Sequence, residues 1–126
     1  MLPDSGGLLR LPKAIPARLA REMILTGRRM TADEAGALHL VNRVVAPEAL
    51  MESALDLAAS LVRAAPLAIT AARDILRVTE GLEVAQGYAV MRSGTLPSYR
   101  AMLASDDALE GPRAFAQGRP PEWKGR

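Results

Sequence analysis

The sequence predicts a mainly helical fold with one short extended strand. Of the 126 residues, 49% are hydrophobic and only 3% aromatic, and the apolar material is rich in alanine and leucine, which favour helices. Proline or glycine separates successive stretches in which apolar residues recur at helical spacing. One β-branched cluster, formed by Val41, Val44 and Val45, interrupts these stretches and predicts the short strand or an extended segment.

The first 46 residues predict a turn followed by short elements. Pro-Asp-Ser-Gly-Gly at residues 3–7 is typical of a turn. A short helix follows, and we expect Pro12 to stop it. A second helix begins at Pro16, whose ring suits a first helical turn, and ends at Gly27.

A capping box marks the next helix. Thr31 can accept a hydrogen bond from the amide of Glu34, and the Glu34 carboxylate can reach back to Thr31. This helix is short, and the predicted strand, Leu-Val-Asn-Arg-Val-Val at residues 40–45, follows it.

Longer helices are predicted after Pro47. Pro66 breaks the first of them and starts the second, and Ser105, followed by two aspartates, caps the last. Residues 94–97 are predicted to interrupt the helical structure between the third and the last of these helices. The four predicted helices cover residues 47–65, 66–81, 82–93 and 105–118.

Charge and cysteine content exclude several classes of function. Sixteen lysines and arginines against fourteen acidic residues leave a formal charge of +2, and the two signs are interleaved, so neither nucleic acid nor a membrane is expected as a partner. No cysteine and only one histidine leave little for a metal site or a histidine-based triad. These features, with no signal peptide, fit a cytoplasmic protein.

Three stretches, in this order, carry a family resemblance. The first runs from the turn to the predicted strand, residues 3–45; the second is the pair of helices separated by Ala-Ala-Pro; the third is SDDALEGPRAFAQGRPPEWKG at residues 105–125. Together they resemble the enoyl-CoA hydratase/isomerase, or crotonase, superfamily over essentially the whole chain. The resemblance implies the C-terminal half of such an enzyme, and therefore the helical part of the ClpP/crotonase-like α/β fold.

The same resemblance implies a role for each part of the chain and a type of reaction. Residues 1–46 would end the crotonase core, and residues 47–126 would form a helical region for oligomerisation and coenzyme A contact. The family acts on acyl-CoA thioesters, as in fatty acid metabolism, by hydration or a double-bond shift, with no separate cofactor, and assembles into trimers or hexamers. Its oxyanion-hole amides lie in the other half, so the chain is expected to be incomplete as a catalyst. A non-catalytic helical assembly module and one half of a split enzyme are the alternatives.

Asp4 is the catalytic candidate that the resemblance implies. It matches a position where some family isomerases carry a proton-shuttling aspartate and a related dehalogenase carries a nucleophile. The alternative is that Asp4 stabilises the turn. Gly6 and Gly7 are substrate-binding candidates that leave space for an acyl group, or else structural residues of that turn.

Three further residues are implied as contacts of coenzyme A. Tyr99 falls where the family stacks an aromatic ring on the adenine, although it can equally be a packed helix residue. Arg119 and Lys124 are candidates for neutralising phosphates, with a solvated basic tail as the alternative. The chain departs from the family at Gly118, where a lysine is usual, and at His39, where a glycine is common. A positive φ at His39 would carry a backbone cost.

Overall fold

Eight α-helices and one turn of 3₁₀ helix occur in residues 3–126, the part of the chain that the computed structural model describes. The chain divides into two units, Met1–Met51 and Glu52–Arg126. The 3₁₀ turn covers Pro47–Ala49. The helices are α1 (Gly7–Ala14), α2 (Ala17–Thr26), α3 (Ala32–Ala37), α4 (Leu50–Val62), α5 (Pro66–Thr79), α6 (Val84–Arg92), α7 (Pro97–Leu103) and α8 (Asp106–Ala116).

In the first unit α1 packs against α2. The prediction that Pro12 stops α1 is wrong, because the helix continues to Ala14. Proline removes only its own N–H, and the last turn still closes with a hydrogen bond of 3.1 Å from the Ile15 amide to the Leu11 carbonyl. Helix α2 ends as predicted, at Gly27 with φ 68°.

Helix α3 begins and ends with well-defined hydrogen bonds. The capping box is confirmed: the Glu34 amide donates to Thr31 Oγ1 at 3.2 Å, and the Thr31 amide donates to Glu34 Oε2 at 3.0 Å. At the other end His39 has φ 54° and donates its amide to the Gly36 carbonyl at 3.0 Å, while Leu40 donates to Ala35 at 2.9 Å. These two bonds form a Schellman motif.

The predicted strand at residues 40–45 is wrong, because residues 3–126 contain no β-strand. The segment runs without regular structure towards the 3₁₀ turn. β-Branched residues form a strand where a neighbouring strand takes up their backbone hydrogen bonds, and the described part of the chain offers none. Val44 instead packs against the backbone of α3, where a Cβ added to Gly36 would lie 2.8 Å from Val44 Cγ2.

In the second unit α5 packs against α6 and α7, and α7 packs against α8. Ala71 of α5 and Ala114 of α8 are buried where these helices meet their neighbours. Local signals fix the starts: Pro66 opens α5, and Ser105 Oγ accepts a hydrogen bond of 3.2 Å from the Ala108 amide. The predicted cap at Ser105 is therefore confirmed.

Helix α4 is apolar but exposed. None of its residues is buried, and five of its large apolar side chains expose 54–80% of their surface: Leu50, Met51, Leu55, Leu61 and Val62. Much apolar surface is therefore left uncovered.

Among residues 3–126, no single helix has both the length and the apolar character needed to cross a membrane. Residues 47–62 and 66–79, with a bend of 102° between them, meet those criteria only as a pair.

Candidate functional site

The turn before α1 needs glycine for backbone reasons. Gly6 has φ 101°, a conformation open mainly to glycine, and its carbonyl accepts the amide of Arg10 at 2.9 Å. A Cβ on Gly7 would lie 3.1 Å from the Pro3 Cβ. Asp4 is exposed on this turn. The geometry explains both glycines structurally, while the catalytic role of Asp4 and a contact between the glycines and an acyl group stay predictions.

A small cavity of about 230 Å³ lies beside this turn. Pro3 and Gly7 line one side, and apolar residues of α1 and α2, including Leu11 and Met23, line the rest. The cationic Arg28 at its edge is held by Glu34, with Nη1 3.0 Å from Oε1. The cavity therefore offers an apolar lining next to the turn that carries Asp4.

In the second unit, α8 and the C-terminal tail form a charged cleft of about 440 Å³. It brings together two of the predicted coenzyme A contacts, Arg119 and Lys124, whereas Tyr99 is half-buried on α7 and does not line it. Seven charged residues line the cleft: Asp106, Asp107, Glu110, Arg113, Arg119, Glu122 and Lys124. No group of three or more side chains suited to a metal ion occurs in residues 3–126.

Arg119 is held in a two-pronged ion pair with Glu110. Its Nη1 lies 2.6 Å from Oε1, and its Nη2 lies 3.0 Å from Oε2. These hydrogen bonds, with a further one from the Glu122 amide, lower the pKa of Glu110 to about 2. The pair also raises the pKa of Arg119. Glu110 is thus a fixed anion that positions the start of the tail.

The ion pair limits what Arg119 can offer a phosphate. Its Nε also donates to Gln117 at 2.8 Å, and its Nη1 to the Pro120 carbonyl at 3.0 Å. Four of the five guanidinium N–H groups are therefore engaged. Phosphate binding by Arg119 stays a prediction, and it would use the fifth N–H group or require the ion pair with Glu110 to open.

Buried Asp107 fixes the backbone at Lys124. The Lys124 amide donates to Asp107 Oδ1 at 2.7 Å, and the Gly125 amide donates to Oδ2 at 2.9 Å. Asp107 is only 5% exposed, whereas Lys124 is exposed along the cleft. Asp107 thus anchors the backbone of Lys124. A contact between the Lys124 side chain and coenzyme A stays a prediction.

The family model described as enoyl-CoA hydratase/isomerase matches the chain over residues 1–126. The chain belongs to this family. Curated relatives include carnitinyl-CoA dehydratases from Salmonella arizonae, 54% identical over 125 residues, and Salmonella typhi, 55% identical over 126. These matches cover 99% and 100% of this chain and 48% of each relative. The chain therefore spans about half the length of the curated relatives it matches, and it corresponds to the C-terminal half of the family.

Solved structures of family members share the fold of this chain. The enoyl-CoA hydratase from Bacillus anthracis gives a TM-score of 0.87 at 32% identity, covering 100% of this chain and 47% of that one. The enoyl-CoA hydratase from Mycobacterium marinum gives 0.84 at 37% identity, covering 96% and 46%. The helical portion of the crotonase fold is thereby confirmed.

The sequence alone did not indicate which residues anchor the C-terminal tail of this chain. The sequence pattern indicates only that Asp107 favours the first turn of α8, and it gives Glu110 no partner. Trp123 completes the anchoring: its indole N–H donates to the Arg63 carbonyl at 2.9 Å, and its ring lies against Gly111. The available signal was the set of acids in the first turns of α8, Asp106, Asp107 and Glu110, a few residues before a tail whose non-proline residues carry backbone N–H groups.

Proposed function

We propose that the chain supplies the C-terminal part of an enzyme that removes water from, or adds it to, a coenzyme A thioester of the carnitinyl type. One observation carries this choice. The chain is 54–55% identical over its whole length to carnitinyl-CoA dehydratases, but 32–37% identical to the structurally similar enoyl-CoA hydratases. Hydration chemistry is therefore favoured over a double-bond shift.

Dehydration of a β-hydroxyacyl thioester needs two proton transfers. A base takes the α-proton, an acid protonates the departing β-hydroxyl as water, and the negative charge in between rests on the thioester carbonyl oxygen. Asp4 is proposed as one of the two acid–base groups, since its turn borders an apolar cavity suited to an acyl chain. No cofactor besides the thioester itself is proposed.

Catalysis is proposed to require polypeptide equivalent to the other half of the relatives. The loss of one oxyanion donor typically costs 10²–10³ in rate, and we propose that these donors belong to that other half. The exposed apolar side chains of α4 support a missing covering layer. Assembly into trimers or hexamers, coenzyme A contacts from Tyr99, Arg119 and Lys124, and a cytoplasmic location belong to the same proposal.

The test is reconstitution with a complementary half. The chain is purified alone and co-purified with the N-terminal half of the Salmonella typhi relative, and each sample is assayed with carnitinyl-CoA and crotonyl-CoA. We expect turnover of carnitinyl-CoA only by the complex. Asp4→Asn should lower that rate by about 10²-fold or more, whereas the control Asp74→Asn, which alters a surface ion pair, should not.

Each other outcome rejects a defined part of the proposal. Turnover by the chain alone contradicts catalytic incompleteness. A complex that acts on crotonyl-CoA but not on carnitinyl-CoA contradicts the substrate class. A stable complex inactive on both thioesters favours the non-catalytic assembly module.

A further inference from the structure

A separate cavity of about 370 Å³ lies between α5 and α6. Its walls are mainly apolar and include Ile75, Leu82 and Met91. Gly87 forms part of the lining, and a Cβ there would lie 3.7 Å from the side chain of Thr79. Thr79 has its hydroxyl satisfied by the Ile75 carbonyl at 2.8 Å. The apolar lining therefore presents few free hydrogen-bond donors to a ligand.

Two other groups give this cavity its chemical character. Glu83, the N-cap of α6, forms a capping box with Gln86 and contributes a carboxylate, which has several acceptor positions, to the lining. Tyr88 contributes an aromatic ring and is 52% exposed. A formal negative charge and a π-face thus share one apolar cavity.

The Tyr88 ring already binds a cation within the chain. The Arg92 guanidinium carbon lies 4.9 Å from the ring centroid, within the range of a cation–π interaction. Arg92 is not among the residues that line the cavity. The ring is therefore held beside one positive charge while it contributes to a cavity that contains a carboxylate.

We propose that this cavity binds a quaternary ammonium group. Such a group has a full positive charge but no N–H, so its methyl groups suit apolar walls while aromatic faces and a carboxylate attract its charge. A primary ammonium could donate to Glu83, but its other N–H groups would stay unpaired among Ile75, Leu82 and Met91.

The experiment compares choline with 3,3-dimethylbutan-1-ol, its neutral carbon isostere, by calorimetric or NMR titration of the full chain. Choline should bind about three- to tenfold more tightly, because only the cation gains from Tyr88 and Glu83. Tyr88→Leu should remove that preference, and Glu83→Gln, which keeps the capping oxygen, should reduce it. Arg92→Gln should tighten choline binding about two- to fivefold, because it removes a competing cation from the ring.

The control is Phe115→Leu, which truncates an aromatic ring that is 89% exposed on α8, and it should leave the preference unchanged. Equal binding of choline and its isostere, or no binding of either, overturns the proposal. No turnover enters this measurement, so its failure is distinguishable from that of the proposed function. Choline binding without carnitinyl-CoA turnover by the complex would reject only the latter.

Discussion

Helices α3 and α8 end with the same hydrogen-bond motif, but the segments that follow them are held in place differently. Both exits are Schellman motifs: at α8 the Gly118 amide donates to Phe115 and the Arg119 amide to Ala114, each at 3.1 Å, matching the pair of bonds at His39 and Leu40. The left-handed residue has φ 54° at His39 and 64° at Gly118. The motif thus tolerates a side chain at one site and uses glycine at the other.

After the exits the two segments are held by different forces. The C-terminal tail is fixed by carboxylates, since Asp107 and Glu110 accept its backbone amides. The segment at residues 40–46 leaves Val41 and Val44 about 40% exposed. Charged acceptors on a helix can therefore order a tail without regular structure, whereas β-branched residues without a partner do not make a strand.

Asp107→Asn should have the largest effect on this contrast. An amide nitrogen would replace one of the two oxygens that accept the Lys124 and Gly125 amides, and a buried donor would face another donor. We expect a loss of about 2–3 kcal/mol in the free energy of unfolding, measured by urea denaturation followed by circular dichroism. Asp106→Asn, a change at the exposed neighbouring aspartate, should cost less than about 1 kcal/mol. Similar losses in the two variants would argue against a specific anchor.

Gly36→Ala should test the packing that holds the other segment. The new Cβ would lie 2.8 Å from Val44 Cγ2, so we expect a loss of about 1–2 kcal/mol although alanine favours a helix by about 1 kcal/mol. In a Val44→Ala background the same change should become neutral or stabilising. An equal loss in both backgrounds would show that Val44 does not limit the approach. The measurement is the same denaturation series on four proteins.

Substitutions at the C-terminal ends of α3 and α8 should change stability by smaller amounts and in opposite directions. His39→Gly removes the cost of a side chain at positive φ and should raise stability by about 0.5–1 kcal/mol. Gly118→Ala introduces that cost and should lower stability by about 1 kcal/mol. Thermal unfolding of both variants gives the two signs. Destabilisation by His39→Gly would mean that the imidazole makes a compensating contact.

The smallest expected effect is a difference in acid sensitivity between the ion pairs Arg119–Glu110 and Arg28–Glu34. The pKa of Glu110 falls from its ordinary value of 4.5 to about 2 on folding, so its contribution is complete above about pH 5 and is lost as the pH falls towards 2. The pKa of Glu34 is also lowered, chiefly by the Thr31 amide and then by Arg28. Urea midpoints between pH 7 and 3 should fall less steeply in Glu110→Gln than in the parent chain, with a weaker change in Glu34→Gln. Parallel pH profiles for all three proteins would contradict this assignment.

Local signals made much of the fold predictable. The capping box at Thr31, the N-cap at Ser105, and prolines and glycines identified α2, α3, α5 and α8, because each acts within one helical turn. The strand could not be judged locally, since its existence depends on a partner strand. Helix α7, Pro97–Leu103, was not predicted, because it is only seven residues long and begins inside the break predicted at residues 94–97.

The candidate site was less predictable than the fold. The turn at Gly6 and Gly7 follows from residue type, but the pairing of Glu110 with Arg119 spans nine residues and depends on how the tail bends after Gly118. Asp107 was visible as an acid, but not as the acceptor of two amides seventeen and eighteen residues later. The cavity at Tyr88 arises from the packing of α5 on α6, which no single motif encodes.

Trp123 is the chain's only tryptophan, and its indole joins the tail to the loop after α4 through Arg63. Its fluorescence therefore reports docking of the tail and little else. Detachment would expose the indole to water and shift its emission to longer wavelength while the helices remain intact. The protein thus carries its own optical probe for the state of its last eight residues.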